Sequence, residues 1–349
     1  MSKQVDKNLI INTSINKPGV KFYDVLVEPF YIYGVWYDGD GFYRVPKDVA
    51  PRVSPSTVQK STQTAGGRIR FKTDSQYVAI KAVLQNAEKI AMMTATAARG
   101  FDLYADGIFI RSFTPPYDQG EGDFESVVNI GERTTREITI NMPLYSGVKE
   151  LYIGVDEEAA LAAATPYKYS KPVVFYGSSI TNGACASRPG MAYEAILSRM
   201  LDMDFHNLGF GGSAKGEPSI AEYIAGLEMS VFVYDYDHNA PNPEHLRETH
   251  EPMFKLIRAA QPKLPIIMIS RPQFSLESNR DERYEIIKST YDNAIATGDE
   301  NVYLLRGYDF FDGLLADFTV DGVHPTDLGF YYMAKGILPA LKLALEKQG

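Results

Sequence analysis

The rhythm of hydrophobic and polar positions changes once along the chain, near residue 165. Before that point apolar residues come in short, partly alternating runs at 68–71, 77–83, 101–104, 108–113, 124–130, 136–140 and 150–155. Turn residues such as Ala105-Asp106-Gly107 and Gln119-Gly120-Glu121-Gly122 separate them. Many short strands at close spacing predict a β-sandwich, jelly-roll-like in character. No helical period stands out there apart from the alanine-rich stretch 157–164, which reads as a connecting segment.

After Lys171 strands and helices alternate. Strands are predicted at 173–176, 205–208, 231–234, 266–270 and 302–305. Helices are predicted at 193–201, 219–227, 243–260 and 280–296, and from about Asp327 to the C-terminus. Such alternation implies a parallel sheet covered by helices on both faces. The expected organisation is therefore an N-terminal β-domain over 1–165 and an α/β domain over 166–349. In open α/β sheets ligands lie beyond the carboxyl ends of the strands. The informative segments are then Gly177-Ser178-Ser179-Ile180-Thr181, Gly209-Phe210-Gly211-Gly212, Asp235-Tyr236-Asp237-His238-Asn239, Ser270-Arg271-Pro272 and the late Asp321-Gly322-Val323-His324-Pro325.

Composition agrees with a folded two-domain protein. A chain of 349 residues, 45% hydrophobic, can bury a sizeable core. Intrinsic disorder, collagen and coiled coil are excluded as overall descriptions, and no stretch nears the ~20 apolar residues of a membrane span. With 35 basic against 44 acidic residues the formal charge is -9. That sign argues against nucleic acid, which is bound by neutralising phosphates, and against anionic lipid. The one cysteine, Cys185, rules out an intrachain disulfide. The first residues carry lysines but neither the apolar core nor the cleavage site of a secretion signal. With residue 1 as the native start a cytoplasmic protein is expected; a chain trimmed at a cleavage site would be exported.

Chemistry concentrates at the strand ends. A serine on the turn after a buried strand is exposed and rigidly held, but it needs a base to become a nucleophile. Five histidines are available. His245 and His250, five apart on a predicted helix, do not share a face and read as helix-surface or partner residues; zinc would want i, i+4 spacing. His206 falls inside a strand and reads as a core or edge residue. His324 follows Asp321 by three residues in a loop bounded by Gly and Pro, so the carboxylate can hold one ring nitrogen while the other faces a serine. An aspartate capping backbone amides beside a bystander histidine is the competing reading. Gly211-Gly212 and Asn239 stand where oxyanion donors are needed, and equally where tight turns form. Cys185 has no adjacent base and reads as a small packed residue. Asp235 and Asp237 are neighbours along one strand, an arrangement unlike a glycosidase pair facing across a cleft.

Together these segments resemble the four blocks of the SGNH, or GDSL-type, hydrolase family, in the family's order. Gly177-Ser178-Ser179-Ile180 is similar to the G-D-S-[LI] block, and Asn207-Leu208-Gly209-Phe210-Gly211-Gly212 to the second block. Asp237-His238-Asn239-Ala240 is similar to G-x-N-D, and Asp321-Gly322-Val323-His324 matches D-x-x-H. Upstream, Gly100-Phe101-Asp102-Leu103-Tyr104 matches the GxDLY signature of the β-rich domain that precedes some of these esterases. Ser178, Asp237 and Ala240 depart from the block residues Asp, Gly and Asp.

The resemblance implies a flavodoxin-like catalytic sheet, Ser179 as nucleophile, His324 as base, Asp321 as its orienter, and an oxyanion hole of the Ser179 and Gly212 amides with the Asn239 side chain. It implies an esterase needing no metal or organic cofactor, acting on short acyl groups, acetyl first, of a carbohydrate. A lipid acylhydrolase or thioesterase with the same triad is the alternative, and a non-catalytic carbohydrate-binding protein a third. Asp237, Arg188, Tyr193 and Arg271 are placed near the cleft by position. The expected partner is a small-molecule or oligosaccharide ester, with a homo-oligomer possible.

Overall fold

The computed structural model describes residues 15–116, 118–272, 280–311 and 315–348. The N-terminal stretch read above for a secretion signal lies outside them through residue 14.

The N-terminal part is antiparallel throughout. One sheet has four strands in the order Val20–Asp24, Gly147–Asp156, Tyr77–Gln85, Gly122–Asn129. The other is built around Arg68–Thr73, Arg136–Asn141, Phe101–Ala105 and Ile108–Phe113, with Tyr31–Tyr33 and Leu161–Ala162 added beside Arg68–Thr73. Period-two alternation sends one side of each strand inward. Ile69, Phe71, Leu103, Ile138 and Ile140 of this sheet therefore meet Ile80, Leu84, Phe124, Leu151 and Ile153 of the first in one apolar core. The alanine-rich segment contributes the short strand Leu161–Ala162 rather than serving only as a connection. Short helices Ala50–Val53, Pro55–Ser61 and Ala95–Ala98 also interrupt a region that shows no helical period. They are too brief to generate one, and Ser54 and Thr94 start the last two by accepting from the N–H groups of Thr57 and Ala97.

The C-terminal part carries a five-stranded parallel sheet: β1 Tyr169–Gly177, β2 Met203–Gly209, β3 Val231–Asp235, β4 Ile266–Ile269 and β5 Val302–Leu305, in the order β2-β1-β3-β4-β5. Five helices cover it: α1 Tyr193–Leu201, α2 Pro218–Ala225, α3 Pro243–Ala260, α4 Arg280–Ala296 and α5 Asp327–Glu346. Strand alternation again decides the faces. Val173 and Phe175 pack with α1 and α5, and Val174 and Tyr176 with α2, α3 and α4.

The two parts are not separate bodies on a linker. Ala65, Ala97, Leu144 and Tyr145 belong to the core under α1 and α5, and Val45, Val49 and Ala50 to the core on the other face. Three arginines reinforce this seam. Arg44, fully buried, donates to the carbonyls of Gln63 and Lys60 on its own side, and to those of Asn207 and Gly209 at the end of β2. Arg68 pairs with Asp204 and donates to the Phe205 carbonyl. Arg188 meets Asp102 and Tyr104 of the Gly-Phe-Asp-Leu-Tyr segment.

Candidate active site

The turn after β1 is fixed by close backbone approaches. A Cβ on Gly177 would lie 2.1 Å from Thr181 Oγ1 and 2.3 Å from the Asp235 carbonyl, so only glycine fits. Ser178 then donates its N–H to the Asp235 carbonyl (3.2 Å), and its Oγ accepts from the Ile180 N–H (3.1 Å). The serine in place of the block aspartate thus performs a turn-ordering task with its hydroxyl. Ser179 follows, half-buried, and among the described residues nothing accepts from its N–H.

β2 ends beside this turn. Asn207 donates from Nδ2 to the Thr181 carbonyl (2.6 Å) and accepts at Oδ1 from the Gly209 N–H (2.8 Å), tying the two strand ends together. The Phe210 N–H reaches the Gly177 carbonyl at 2.9 Å, and a Cβ on Gly211 would stand 3.2 Å from Ser179 Cβ.

The short 3₁₀ turn Asp237–Asn239 follows β3. Asn239 accepts at Oδ1 from the Gly212 N–H (3.0 Å) and donates from Nδ2 to the Phe210 carbonyl (2.8 Å). One partner only donates and the other only accepts, which settles the amide orientation. Gly212 therefore spends its N–H on orienting Asn239 instead of pointing it freely at an oxyanion. This differs from the expected role of the Gly212 amide as an oxyanion donor.

The last segment supplies the other half of the site. Asp321 Oδ1 accepts from the N–H groups of Val323 (3.0 Å) and His324 (2.8 Å), wrapping the loop around the carboxylate. Its Oδ2 lies 2.7 Å from His324 Nδ1, and His324 Nε2 lies 2.9 Å from Ser179 Oγ. Burial works to raise the Asp321 carboxyl, but the bonds from the His324 amide and imidazole and the Val323 amide outweigh it and hold the group below the ordinary aspartate range. Thr326 then caps α5, anchoring the loop to a long helix.

Of the four residues placed near the cleft by position, three are engaged with the protein's own groups. Tyr193 is wholly buried, with its hydroxyl on Thr181 at 3.2 Å. Position 193 had already fallen on the apolar face of α1, which is the signal for burial. Arg188 belongs to the seam with Asp102. Asp237 is buried with its carboxylate between the Arg271 N–H (3.0 Å) and Arg283 Nη1 (2.9 Å), so it binds the protein's own backbone and a cation. Arg271 is itself buried. Arg283, which also donates to the Asp237 and Ala240 carbonyls, drew no attention in the sequence; it lies in α4, far from any block.

The remaining candidates have structural places as well. His250 is buried against the Tyr234 ring, centroids 4.3 Å apart, with Nδ1 2.9 Å from Thr290 Oγ1; it is not on the helix surface. His245 bonds the Lys215 carbonyl. His238 sits close to His324, and burial together with Arg271, His324 and Arg283 pushes it down to about 3. Cys185 is buried, and burial, with the Asp321 charge, raises its thiol to about 11, the state of an unreactive packed residue. Asp235 is buried under the sheet end rather than opposed to another carboxylate across a cleft. Among the described residues no group of three or more His, Cys, Asp or Glu is placed to hold a metal ion, and no helix is long and apolar enough to cross a membrane.

A parallel sheet ordered β2-β1-β3-β4-β5, with serine, histidine and asparagine converging at its carboxyl end, defines an SGNH-type α/β fold. The chain belongs to the GDSL-like lipase/acylhydrolase family, which residues 170–342 match, and residues 20–161 match the N-terminus of Esterase_SGNH_hydro-type proteins, GxDLY. A protein from Bacteroides ovatus described as a GDSL-like lipase is 30% identical, with 94% of this chain and 98% of that chain covered and a TM-score of 0.84. A salicylyl-acyltransferase from a tetracycline biosynthetic pathway shares the fold at 18% identity, covering 94% and 98%, TM-score 0.79. An acetyl xylan esterase from the rumen bacterium Butyrivibrio proteoclasticus does so at 14% identity, covering 94% and 99%, TM-score 0.61. No curated protein matches the chain.

Proposed function

We propose that this esterase removes short acyl groups, acetyl foremost, from a carbohydrate through a Ser179-His324-Asp321 triad. The observation that carries the reading is the unbroken run of contacts from Asp321 Oδ2 through the imidazole to Ser179 Oγ, at 2.7 and 2.9 Å. Ser179 Oγ attacks the ester carbonyl carbon while its proton passes to His324 Nε2. Asp321 keeps Nδ1 protonated and stabilises the imidazolium. The negative oxygen is met by the Ser179 N–H and by the Asn239 Nδ2 hydrogen not given to Phe210. His324 then protonates the departing sugar oxygen, leaving the acyl-enzyme. Water, deprotonated by His324, attacks that ester and releases the carboxylic acid and free Ser179.

The carbohydrate half of the reading is supported by the likeness in fold to the acetyl xylan esterase along nearly the whole chain. The test is acetate release from a panel of acetylated oligosaccharides, with long-chain acyl esters at equal concentration and Ser179→Ala alongside. Sugar-specific release that disappears in Ser179→Ala is expected. Release that survives Ser179→Ala would overturn the triad, and turnover confined to long chains would overturn the carbohydrate.

A further inference from the structure

The Gly211–Gly212 peptide unit stands between the candidate oxyanion donor and a lysine of the N-terminal part. Lys60, at the end of the short helix Pro55–Ser61, is half-buried and reaches across the seam. Its Nζ donates to the Gly211 carbonyl and lies 3.0 Å from Ser213 Oγ, which is 2.6 Å from Ser56 Oγ of the same helix. The root of this strut is also fixed, because Arg44 Nη2 holds the Lys60 carbonyl at 2.8 Å while Nη1 holds the Gly209 carbonyl at 2.8 Å.

A trans peptide is planar, with its C=O and N–H directed oppositely. Fixing the Gly211 carbonyl therefore fixes the direction of the Gly212 N–H. That N–H bonds Asn239 Oδ1, and Asn239 in turn carries the Nδ2 hydrogen proposed to meet the oxyanion. A unit between two glycines, Gly212 at φ +70°, is among the least restrained in any chain. Here part of its restraint comes from outside the catalytic domain.

We infer that Lys60 is a positioning residue for the oxyanion hole, acting through the Gly211–Gly212 peptide on Asn239, and that the N-terminal part contributes to catalysis by this contact. The inference rests on the triad reading above. Without the ammonium the turn closed by the Ser213 N–H on the Phe210 carbonyl (2.8 Å) remains, but the plane of the Gly-Gly peptide is less firmly held, and with it the Gly212 N–H that helps to aim Asn239. Binding of the ester is expected to change little, because the Lys60 ammonium is engaged with protein groups, the Gly211 carbonyl and Ser213 Oγ.

The experiment uses the full chain and the acetyl ester that it turns over. Lys60→Met is expected to lower kcat about 10- to 100-fold, a misplacement-sized loss, with KM and Tm nearly unchanged. Lys60→Arg, which keeps a donor in reach, is expected to recover most of it. Inhibition by an alkylboronic acid, whose Ser179 adduct is tetrahedral and anionic, is expected to weaken in parallel. In an Asn239→Ala background Lys60→Met is expected to cost little more, since both act on one donor. Full kcat in Lys60→Met, or losses that multiply in the double variant, overturns the inference. So does a collapse of Tm that Lys60→Arg repairs without restoring kcat. Activity that survives Ser179→Ala would instead sink the triad reading, which keeps the two failures distinguishable.

Discussion

Asp102 Oδ2 accepts from both Arg188 Nη1, at 3.1 Å, and the Gly190 N–H, at 2.7 Å, while Oδ1 takes the Asn141 amide at 2.7 Å. The aspartate of the Gly-Phe-Asp-Leu-Tyr segment is thus a fully buried junction between the antiparallel sheets and the stretch leading into α1. Asp102→Ala removes the shared acceptor of three donors, one of them charged, and leaves Arg188 only the Tyr104 hydroxyl. Breaking such a pair costs roughly 3–5 kcal/mol. A fall of the urea midpoint of that size, with kcat preserved at permissive temperature, is the expected result.

Ser179→Ala and His324→Ala are each expected to reduce kcat by at least ~10⁴-fold, and the pair together by little more than either alone, since the triad acts as a unit. Asp321→Asn is expected to cost somewhat less, by allowing the wrong imidazole tautomer. The wild-type Asp321 carboxyl is held below the ordinary range, so its orienting role is present above that range and is lost only as pH falls through the lowered value. Rate measurements down to pH 5 should therefore show no titration that Asp321→Asn removes.

Asn239→Ala removes the side-chain donor and is expected to lower kcat by about 10²- to 10³-fold with KM little changed. Steady-state kinetics on the acetyl ester decide it. An equal rise in KM instead would mean that Asn239 binds the ground state.

Asp237→Ala discriminates a structural from a substrate role. Its removal leaves Arg283, 4% exposed, as an unpaired buried cation. The expected loss is again roughly 3–5 kcal/mol in chemical denaturation. Tighter binding of anionic esters without destabilisation would show that the carboxylate faces substrate.

Burial of histidines weakens the fold in acid, and His206 and His250 show it beside His238. Burial lowers His206 to about 4 and His250 to about 3, so both stay neutral in the folded chain while the unfolded chain takes up protons near 6.5. The unfolded state then binds more protons, and stability falls as pH drops from about 6.5 toward 4, by on the order of 1 kcal/mol per pH unit for each. Thermal melts across that window in His250→Gln should show a shallower slope than wild type.

Much of this was legible in one dimension because periodicity reports burial. The helices Tyr193–Leu201 and Pro243–Ala260 and the strand Val302–Leu305 coincide with their predicted bounds. The four chemical segments could be located because strand ends in a parallel sheet share one edge. What stayed hidden crosses between elements. Lys60 lies 151 residues from the carbonyl that it bonds, and Arg283 reaches Asp237 over 46, separations on which no local pattern bears. Arg188 and Tyr193 were misplaced for the converse reason: nearness in sequence to the nucleophile says nothing about which way a side chain leaves the backbone.

The seam bears on how such a chain holds together. Its β-rich part adds side chains to both apolar layers of the catalytic sheet and threads a buried arginine under the second block. It is part of the foundation of the catalytic sheet. Removal of the first half is therefore expected to open both apolar layers of the second to water.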